Sequence, residues 1–265
     1  AGHNSLACAL TLAAKGWKVG VFERAAVPGG AVKSGDYTLP GFRHDWAAMN
    51  LSLFAGSQFH KQFAQELAGH GLAFVAVDRP FASAFPDGTW LGIEQDAAAN
   101  RSRIAALSAA DAKVWDSLTE TFPTRAEDVF ALLGARMKMR ALASFLWGLW
   151  RRRGLTGALE LARFLLASPR AWLTETFVSE KLRAMLGAWG MHLDYAPDSA
   201  GGALFPYLEG MAGQAFGMAL GQGGADTVTR ALVKAIEARG GRVDCGVEVS
   251  RINHDGGVAR SITLA

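Results

Sequence analysis

The opening stretch AGHNSLACALTLAAKGWKVGVFERAAVPGG constrains the fold more than any other part of the chain. Leu6, Ala9, Leu10 and Ala13 recur at helical spacing, and Gly16 suits the residue that closes a helix. WKVGVFER then reads as a buried β-strand ending on the acid Glu23. Turn, helix, short turn, strand and acid form the second half of a βαβ dinucleotide unit. Residues 1–5 supply only the tail of a G-x-G-x-x-G fingerprint, with Ser5 in place of its third glycine. The expectation is a nucleotide-binding turn whose preceding strand and first glycine are missing.

Each part of this order has a chemical reason. Gly2 lets the backbone approach a pyrophosphate closely, and the following helix offers that anion free N–H groups and a positive dipole end. His3 and Asn4 sit beside the turn and are candidates for the same contact, against packing or facing solvent. Glu23 lies about 20 residues after Gly2, where an acid accepts a hydrogen bond from an adenosine ribose and disfavours the extra phosphate of NADP. Arg24 is a candidate for the adenosine end. Gly29 and Gly30, soon after the acid, let the chain pass close to a second part of the same cofactor, a feature that an NAD-only unit does not need. The bland alternatives are a surface helix leading into a core strand, and a flexible Gly-Gly turn. The combination at this spacing is less common than either part.

The segments AGHNSL, VFER and GGAVK together resemble the FAD-binding region of the phytoene desaturase-like and carotenoid isomerase-like flavoproteins, within the amine oxidase-like superfamily. GFRHDWAAMN, residues 41–50, is similar to the family segment that runs beside the flavin ring. GGADTVTRALVKAIEARGGRVDCGVEVSRI, residues 223–252, is similar to its later helix and strand on the adenine side. The resemblance implies FAD as cofactor, contacts from Gly2, His3, Asn4, Ser5, Glu23, Arg24, Gly29, Gly30, Ala31 and Lys33, backbone beside the flavin at Asp45 and Ala47, and backbone at the adenine from Val247. It also implies an apolar, carotenoid- or isoprenoid-like substrate. Ala47-Ala48 stands where many members have Gly-Pro, and family members are roughly twice this length.

The remaining sequence divides into three parts. Residues 1–80 read as the first part of an α/β, Rossmann-like FAD-binding domain. Residues 81–205 read as an inserted, mainly helical substrate or cap domain, and residues 206–265 as the return to the first domain. A helix is expected over residues 58–71, from Phe59, Phe63 and Leu67, and a hairpin over FASAFPDGTWLGI around Pro86-Asp87-Gly88. From Asp96 to about Trp189 the pattern is helical. Ser108 is an N-cap with Asp111 completing an approximate capping box, and Pro123 and Pro169 mark boundaries. ALFPYLEGMAGQAFGMALGQGGADT has no single period and reads as a Gly-rich loop that lines a cavity or connects the domains. Thr227 to Ala238 is a strong helix, and strands follow on either side of Asp255-Gly256-Gly257.

Several function classes find little support. A net charge of +3 over 265 residues is too slight to argue for nucleic acid. Cys8 and Cys245 lack partners at metal or redox spacing and read as buried free thiols. The six histidines are scattered, and His192 with Asp194 supplies two ligands, which is not a metal site. No G-x-S-x-G elbow is present. His44 and Asp45 adjoin on a strand and point to opposite faces, so they do not pair as acid and base. No signal peptide is visible, and the longest apolar run, residues 141–150, is about half a bilayer span. These features suit a cytoplasmic protein. MKMRALASFLWGLWRRR, residues 137–153, is either a buried cap helix with basic ends or a segment lying on an anionic bilayer.

Two classes of function remain open. One is an FAD-dependent oxidoreductase taking a hydride from an apolar substrate in desaturation or isomerisation, with an amine oxidase-like enzyme as a variant. The other is an incomplete flavoprotein that binds a nucleotide, membrane or partner without redox activity. No catalytic residue is identified, and the oligomeric state is left open.

Overall fold

The computed structural model describes residues 1–133, 138–192 and 194–265, without the side chains of Leu132, Leu133, Leu142 and His192. Met137 and the His192 ring, both weighed above, lie outside the described residues. In chain order the elements are α1 (His3–Ala13), β1 (Gly20–Glu23), β2 (Ser34–Gly35), β3 (His44–Asp45), α2 (Ser52–Ala55), α3 (Gln58–Gly69) and β4 (Phe74–Val77). Then come the hairpin strands β5 (Phe81–Ala84) and β6 (Trp90–Ile93), and the helices α4 (Ala97–Leu107), α5 (Ala109–Leu133), α6 (Met139–Leu166), α7 (Pro169–Thr176), α8 (Glu180–His192) and α9 (Leu204–Phe216). The chain continues with β7 (Met218–Gly221), α10 (Thr227–Ala238), β8 (Arg242–Cys245), β9 (Val249–Asp255) and β10 (Val258–Leu264).

Two compact units form. One contains residues 1–77 and 218–265, the other residues 78–217. The crossings therefore fall at 77/78 and 217/218, where the sequence suggested 80/81 and 205/206.

In the first unit β1 and β8 pair in parallel, with Gly20 opposite Arg242 and Glu23 opposite Cys245. The helices α1 and α10 pack on one another, and α3 packs on α10. Leu6 and Leu10 of α1, Leu67 of α3, and Val228, Leu232 and Ile236 of α10 share one buried cluster. Each fully buried aliphatic side chain contributes about 1.5–3 kcal/mol, so this helix seam stabilises the unit. Arg239, just past α10, holds Glu66 of α3 through two hydrogen bonds of 2.8 and 2.9 Å. Gly16 closes α1 in the left-handed region, φ +82°, while Trp17 N–H reaches back to the Leu12 carbonyl at 3.2 Å.

The second unit is helical around a cluster that includes Trp115, Phe177, Leu182, Met185, Leu186, Tyr207 and Met211. Its hairpin β5–β6 is antiparallel, closed by Gly88 at φ +80° and by Asp87 accepting from Thr89 N–H at 3.1 Å. A buried polar chain crosses the core. Asn100 accepts from Glu94 N–H at 2.9 Å and donates to Gln214 Oε1 at 2.7 Å, and Trp115 Nε1 donates to the same oxygen at 2.8 Å. Pairing these groups removes the penalty of burying them.

The structure corrects four expectations. Pro123 does not end a helix; it lies inside α5 on the solvent side. The proline costs about 3 kcal/mol in a helix interior, less than the burial of Trp115, Phe122 and Val129 on the inward face of the same helix contributes. The Gly-rich stretch after Ala203 is the helix α9 and not a loop, because Gly210 and Gly213 give room to neighbours: a Cβ there would lie 3.0 Å from Leu186 Cδ2 and from Phe81 Cε1 respectively. The Ser108 cap forms, with Asp111 N–H donating to its hydroxyl at 3.1 Å, yet the Asp111 carboxylate leaves the capping box. It accepts instead from Val178 and Ser179 N–H at 2.8 and 2.7 Å, just before α8. Cys8 is exposed and Cys245 half-buried, both as free thiols. The inward face of α1 is taken by Leu6, Ala9, Leu10 and Ala13.

Candidate dinucleotide site

The site is built where the end of β1 and the turn before α1 meet a second glycine turn. Gly2 is the N-cap of α1, in extended conformation, with no side-chain cap and no acid in the first helical turn. The first-turn N–H groups of His3, Asn4 and Ser5 precede the first intrahelical bond, Leu6 N–H to the Gly2 carbonyl at 3.0 Å. His3 is half-buried, while Asn4 and Ser5 are exposed.

The two glycine elements of the sequence adjoin in space. Gly2 and Gly29 form a parallel bridge, and Gly29 N–H donates to the Ala1 carbonyl at 2.9 Å. Gly29 has φ +131° and Gly30 φ +59°. A Cβ on Gly29 would lie 2.4 Å from the Val32 carbonyl oxygen, and one on Gly30 3.3 Å from Gly2 Cα. At Gly2 the situation differs: a Cβ there would meet nothing within 4 Å. The fold itself therefore requires glycine at position 29, whereas at position 2 the protein leaves open space.

Glu23 stands beside this junction. Its carboxylate contacts the Ala1 nitrogen and accepts from Ala25 N–H at 2.9 Å. The Ala25 N–H bond favours the ionised form of the carboxyl. An ionised carboxylate has about four acceptor positions, so two remain for hydroxyl donors. Val247 N–H donates to the Glu23 carbonyl at 2.9 Å, which places Val247 at the same strand end. The Lys33 side chain runs beside Gly29, and its charge also favours the ionised form of Glu23. Arg24 and Ala31 are exposed.

Asp45 and Ala47 lie on a neighbouring segment, and here the structure adds residues that local sequence did not mark. β2 pairs with β3, Ser34 opposite Asp45, and Trp46 N–H donates to the Lys33 carbonyl at 2.8 Å. Asp45 Oδ1 accepts from Ser34 Oγ at 2.5 Å and from Ala225 N–H at 2.7 Å, while Ser34 Oγ accepts from Asp226 N–H at 3.1 Å. The turn leading into α10 is thus held by a distant segment. Asp226 also accepts from Arg43 at 2.7 Å and pairs with Arg230. Ala47 is exposed just past β3. His44 bonds Thr38 Oγ1 at 2.8 Å, apart from the Asp45 cluster. Asp226 lies 192 residues from Ser34 and 183 from Arg43; the one local hint was an aspartate immediately before a strong helix.

Residues 1–67 match the family described as NAD(P)-binding Rossmann-like domain. The whole chain is 24% identical, over 269 aligned residues, to a phytoene desaturase (neurosporene-forming) of Cereibacter sphaeroides, of which it covers 48%. Among solved structures it is similar to an oxidoreductase from Methanosarcina mazei, with TM-score 0.57, 20% identity, and coverage of 100% of this chain and 54% of that one. It is also similar to cyclohexylamine oxidase from Brevibacterium oxydans, with TM-score 0.52, 20% identity, and coverage of 100% and 53%. The chain spans about half the length of the curated relative it matches. It carries a mixed α/β, Rossmann-like dinucleotide-binding fold, and it shares that fold with solved oxidoreductases.

Proposed function

We propose that the chain is the dinucleotide-binding part of an FAD-dependent oxidoreductase acting on an apolar, carotenoid- or isoprenoid-like substrate, in desaturation or isomerisation. The observation that carries this reading is the junction of Gly2 with Gly29 beside Glu23. The open space where a Gly2 side chain would stand, next to an uncapped helix start, fits a pyrophosphate. Glu23 retains acceptor capacity for a ribose diol, and Gly29-Gly30 lets the backbone pass close to the same ligand. Lys33 supplies a compensating positive charge. The Asp45–Ser34 cluster has a positioning role: it fixes the segment 34–47 against α10, leaving the backbone at Ala47 exposed. FAD, when bound, supplies the hydride-accepting chemistry, and the protein binds and orients it.

The likeness to a phytoene desaturase supports the apolar substrate class. A second reading, oxidation of an amine, is supported by the likeness to cyclohexylamine oxidase. Anaerobic bleaching of the flavin by an isoprenoid or by an alkylamine separates the two.

The reading is tested by the absorbance spectrum of the purified protein after incubation with FAD and desalting. Retained flavin bands support it. A folded protein that retains no flavin overturns it, in favour of a module that binds a nucleotide, membrane or partner without redox chemistry.

A further inference from the structure

The helices α5 and α6 meet around a cluster of arginines. Asp128 of α5 is buried, and Arg152 and Arg153 of α6 donate to its two oxygens at 2.9 and 2.5 Å. Arg153 also donates to the Thr124 carbonyl at 3.0 Å. Just beyond, α6 leaves helical geometry at Gly154, with φ +68° and ψ −177°. Gly157, in the run that follows, makes room for Arg153: a Cβ at 157 would lie 2.7 Å from Arg153 Cβ. One acid thus fixes two arginines, and the Arg153 guanidinium still has donors to spare.

Beside this pair lies a cavity of about 260 Å³, lined by Arg125, Arg153, Gly157, Glu160 and Leu161. The Arg125 guanidinium carbon is 5.3 Å from the ring centroid of Phe164 and 5.4 Å from that of Tyr207. These contacts hold the cation in place, but the rings give its N–H groups no acceptor oxygen in the cavity. Arg125 has no carboxylate partner among the described residues. Polar demand is unmet nearby as well. Tyr207 is fully buried, and its hydroxyl proton has no acceptor among the described residues. Burial pushes this hydroxyl up, so it keeps its proton, while the positive charges of Arg125 and Arg153 act in the opposite direction. Both guanidiniums are therefore within electrostatic reach of it. Arginine only donates, so neither can take the phenolic proton.

The deficit is one of negatively charged acceptors. Arg125, Arg152 and Arg153 face Asp128 and the exposed Glu160, which leaves one net positive charge in the cluster. The cavity admits a tetrahedral or planar oxyanion with a few waters, at about 30 Å³ for each water. It falls below the range of about 300–1,000 Å³ usual for cofactors and drug-sized ligands. We infer that it binds one small oxyanion, a phosphate or carboxylate group, through charge-assisted hydrogen bonds from Arg125 and Arg153. Glu160 opposes that anion across the same cavity and weakens its hold. The site lies wholly within the helical unit, residues 78–217, and does not depend on the dinucleotide reading.

Equilibrium dialysis of the purified protein against radiolabelled inorganic phosphate tests it, at an ionic strength fixed with potassium chloride and with and without saturating FAD. The inference predicts one bound phosphate that FAD does not displace and that persists in Gly2→Val. Arg125→Gln should lower its affinity about ten-fold or more, and Arg125→Lys, which keeps the charge and loses the planar fork, should fall between. Glu160→Gln should raise the affinity about three-fold or more. Displacement by acetate at similar concentration assigns the site to a carboxylate ligand, and resistance to acetate assigns it to a phosphoryl group. Circular dichroism and thermal unfolding verify that each variant keeps its fold. No phosphate binding by the folded parent protein overturns the inference, leaving the cavity to water. So does phosphate that FAD displaces or Gly2→Val abolishes, which would belong to the dinucleotide site, and so does binding that Arg125→Gln leaves unchanged.

Discussion

Gly2 and Gly29 run parallel and bridge, with the Gly29 N–H held 2.9 Å from the carbonyl of Ala1. The two glycines nevertheless have opposite reasons to be glycine. Gly29→Ala forces φ +131° on an alanine and brings a Cβ to 2.4 Å from the Val32 carbonyl, so it should cost about 2–4 kcal/mol of stability. Gly2→Ala meets open space at an ordinary φ and should cost no more than about 1 kcal/mol, the loss of a fair N-cap residue. Its main effect should be on dinucleotide affinity. Denaturant unfolding and FAD titration of both variants measure the contrast.

Glu23→Gln should weaken dinucleotide binding by about ten-fold, the equivalent of one charge-assisted hydrogen bond to a ribose hydroxyl. The amide oxygen still accepts from Ala25 N–H, while the amide nitrogen loses the contact with the Ala1 nitrogen, so urea unfolding of the variant is measured beside the titration. Equal losses of affinity for FAD and for the adenosine fragment ADP would locate the contact at the ribose.

Asp45→Ala should cost about 1–3 kcal/mol, because the Ala225 N–H at the start of α10 loses its acceptor. Ser34→Ala removes the acceptor of Asp226 N–H in the same cluster. The two changes should be non-additive by about 0.5 kcal/mol or more in a double-mutant cycle read by urea unfolding. Additive behaviour would mean that the two hydrogen bonds act separately.

Glu66 and Arg239 give the pair a predictable pH response. The bidentate Arg239 holds the Glu66 carboxyl below its usual range, outweighing the effect of burial. A carboxyl with a depressed folded pKa contributes stability above its unfolded pKa of about 4.3, and that contribution is lost as pH falls through the folded value. Because both side chains are partly solvated, screening keeps the contribution below about 1 kcal/mol. Unfolding of Glu66→Gln across acidic pH should show a correspondingly shallower decline than the parent.

The legible parts of the fold were those governed by local periodicity. α10 runs from Thr227 to Ala238 as Val228, Leu232, Ile236 and the closing Gly240-Gly241 indicate. The β5–β6 hairpin and the start of α5 at Ser108 likewise follow from short-range chemistry. The illegible parts were decided by distant packing. Gly210 and Gly213 look like loop residues until Trp115, Leu186 and Phe81 are seen pressed against them. Pro123 looks like a helix end until the buried residues on both sides of it are counted as one face. At the candidate site, the two glycine turns and the acid are visible in sequence, but their meeting is not. The Arg43–Asp226 and Asp45–Ala225 contacts join segments at opposite ends of the chain, so no local pattern announces them.

The most direct test of the dinucleotide site is a titration of the purified protein with FAD, followed by flavin fluorescence, in parallel with a Gly2→Val variant. The account predicts saturable quenching by the parent protein and its loss in the variant, whose thermal unfolding stays close to that of the parent, because the added side chain enters space reserved for the pyrophosphate and not for the protein. Undiminished quenching by the folded Gly2→Val protein, or none by the folded parent, would contradict it.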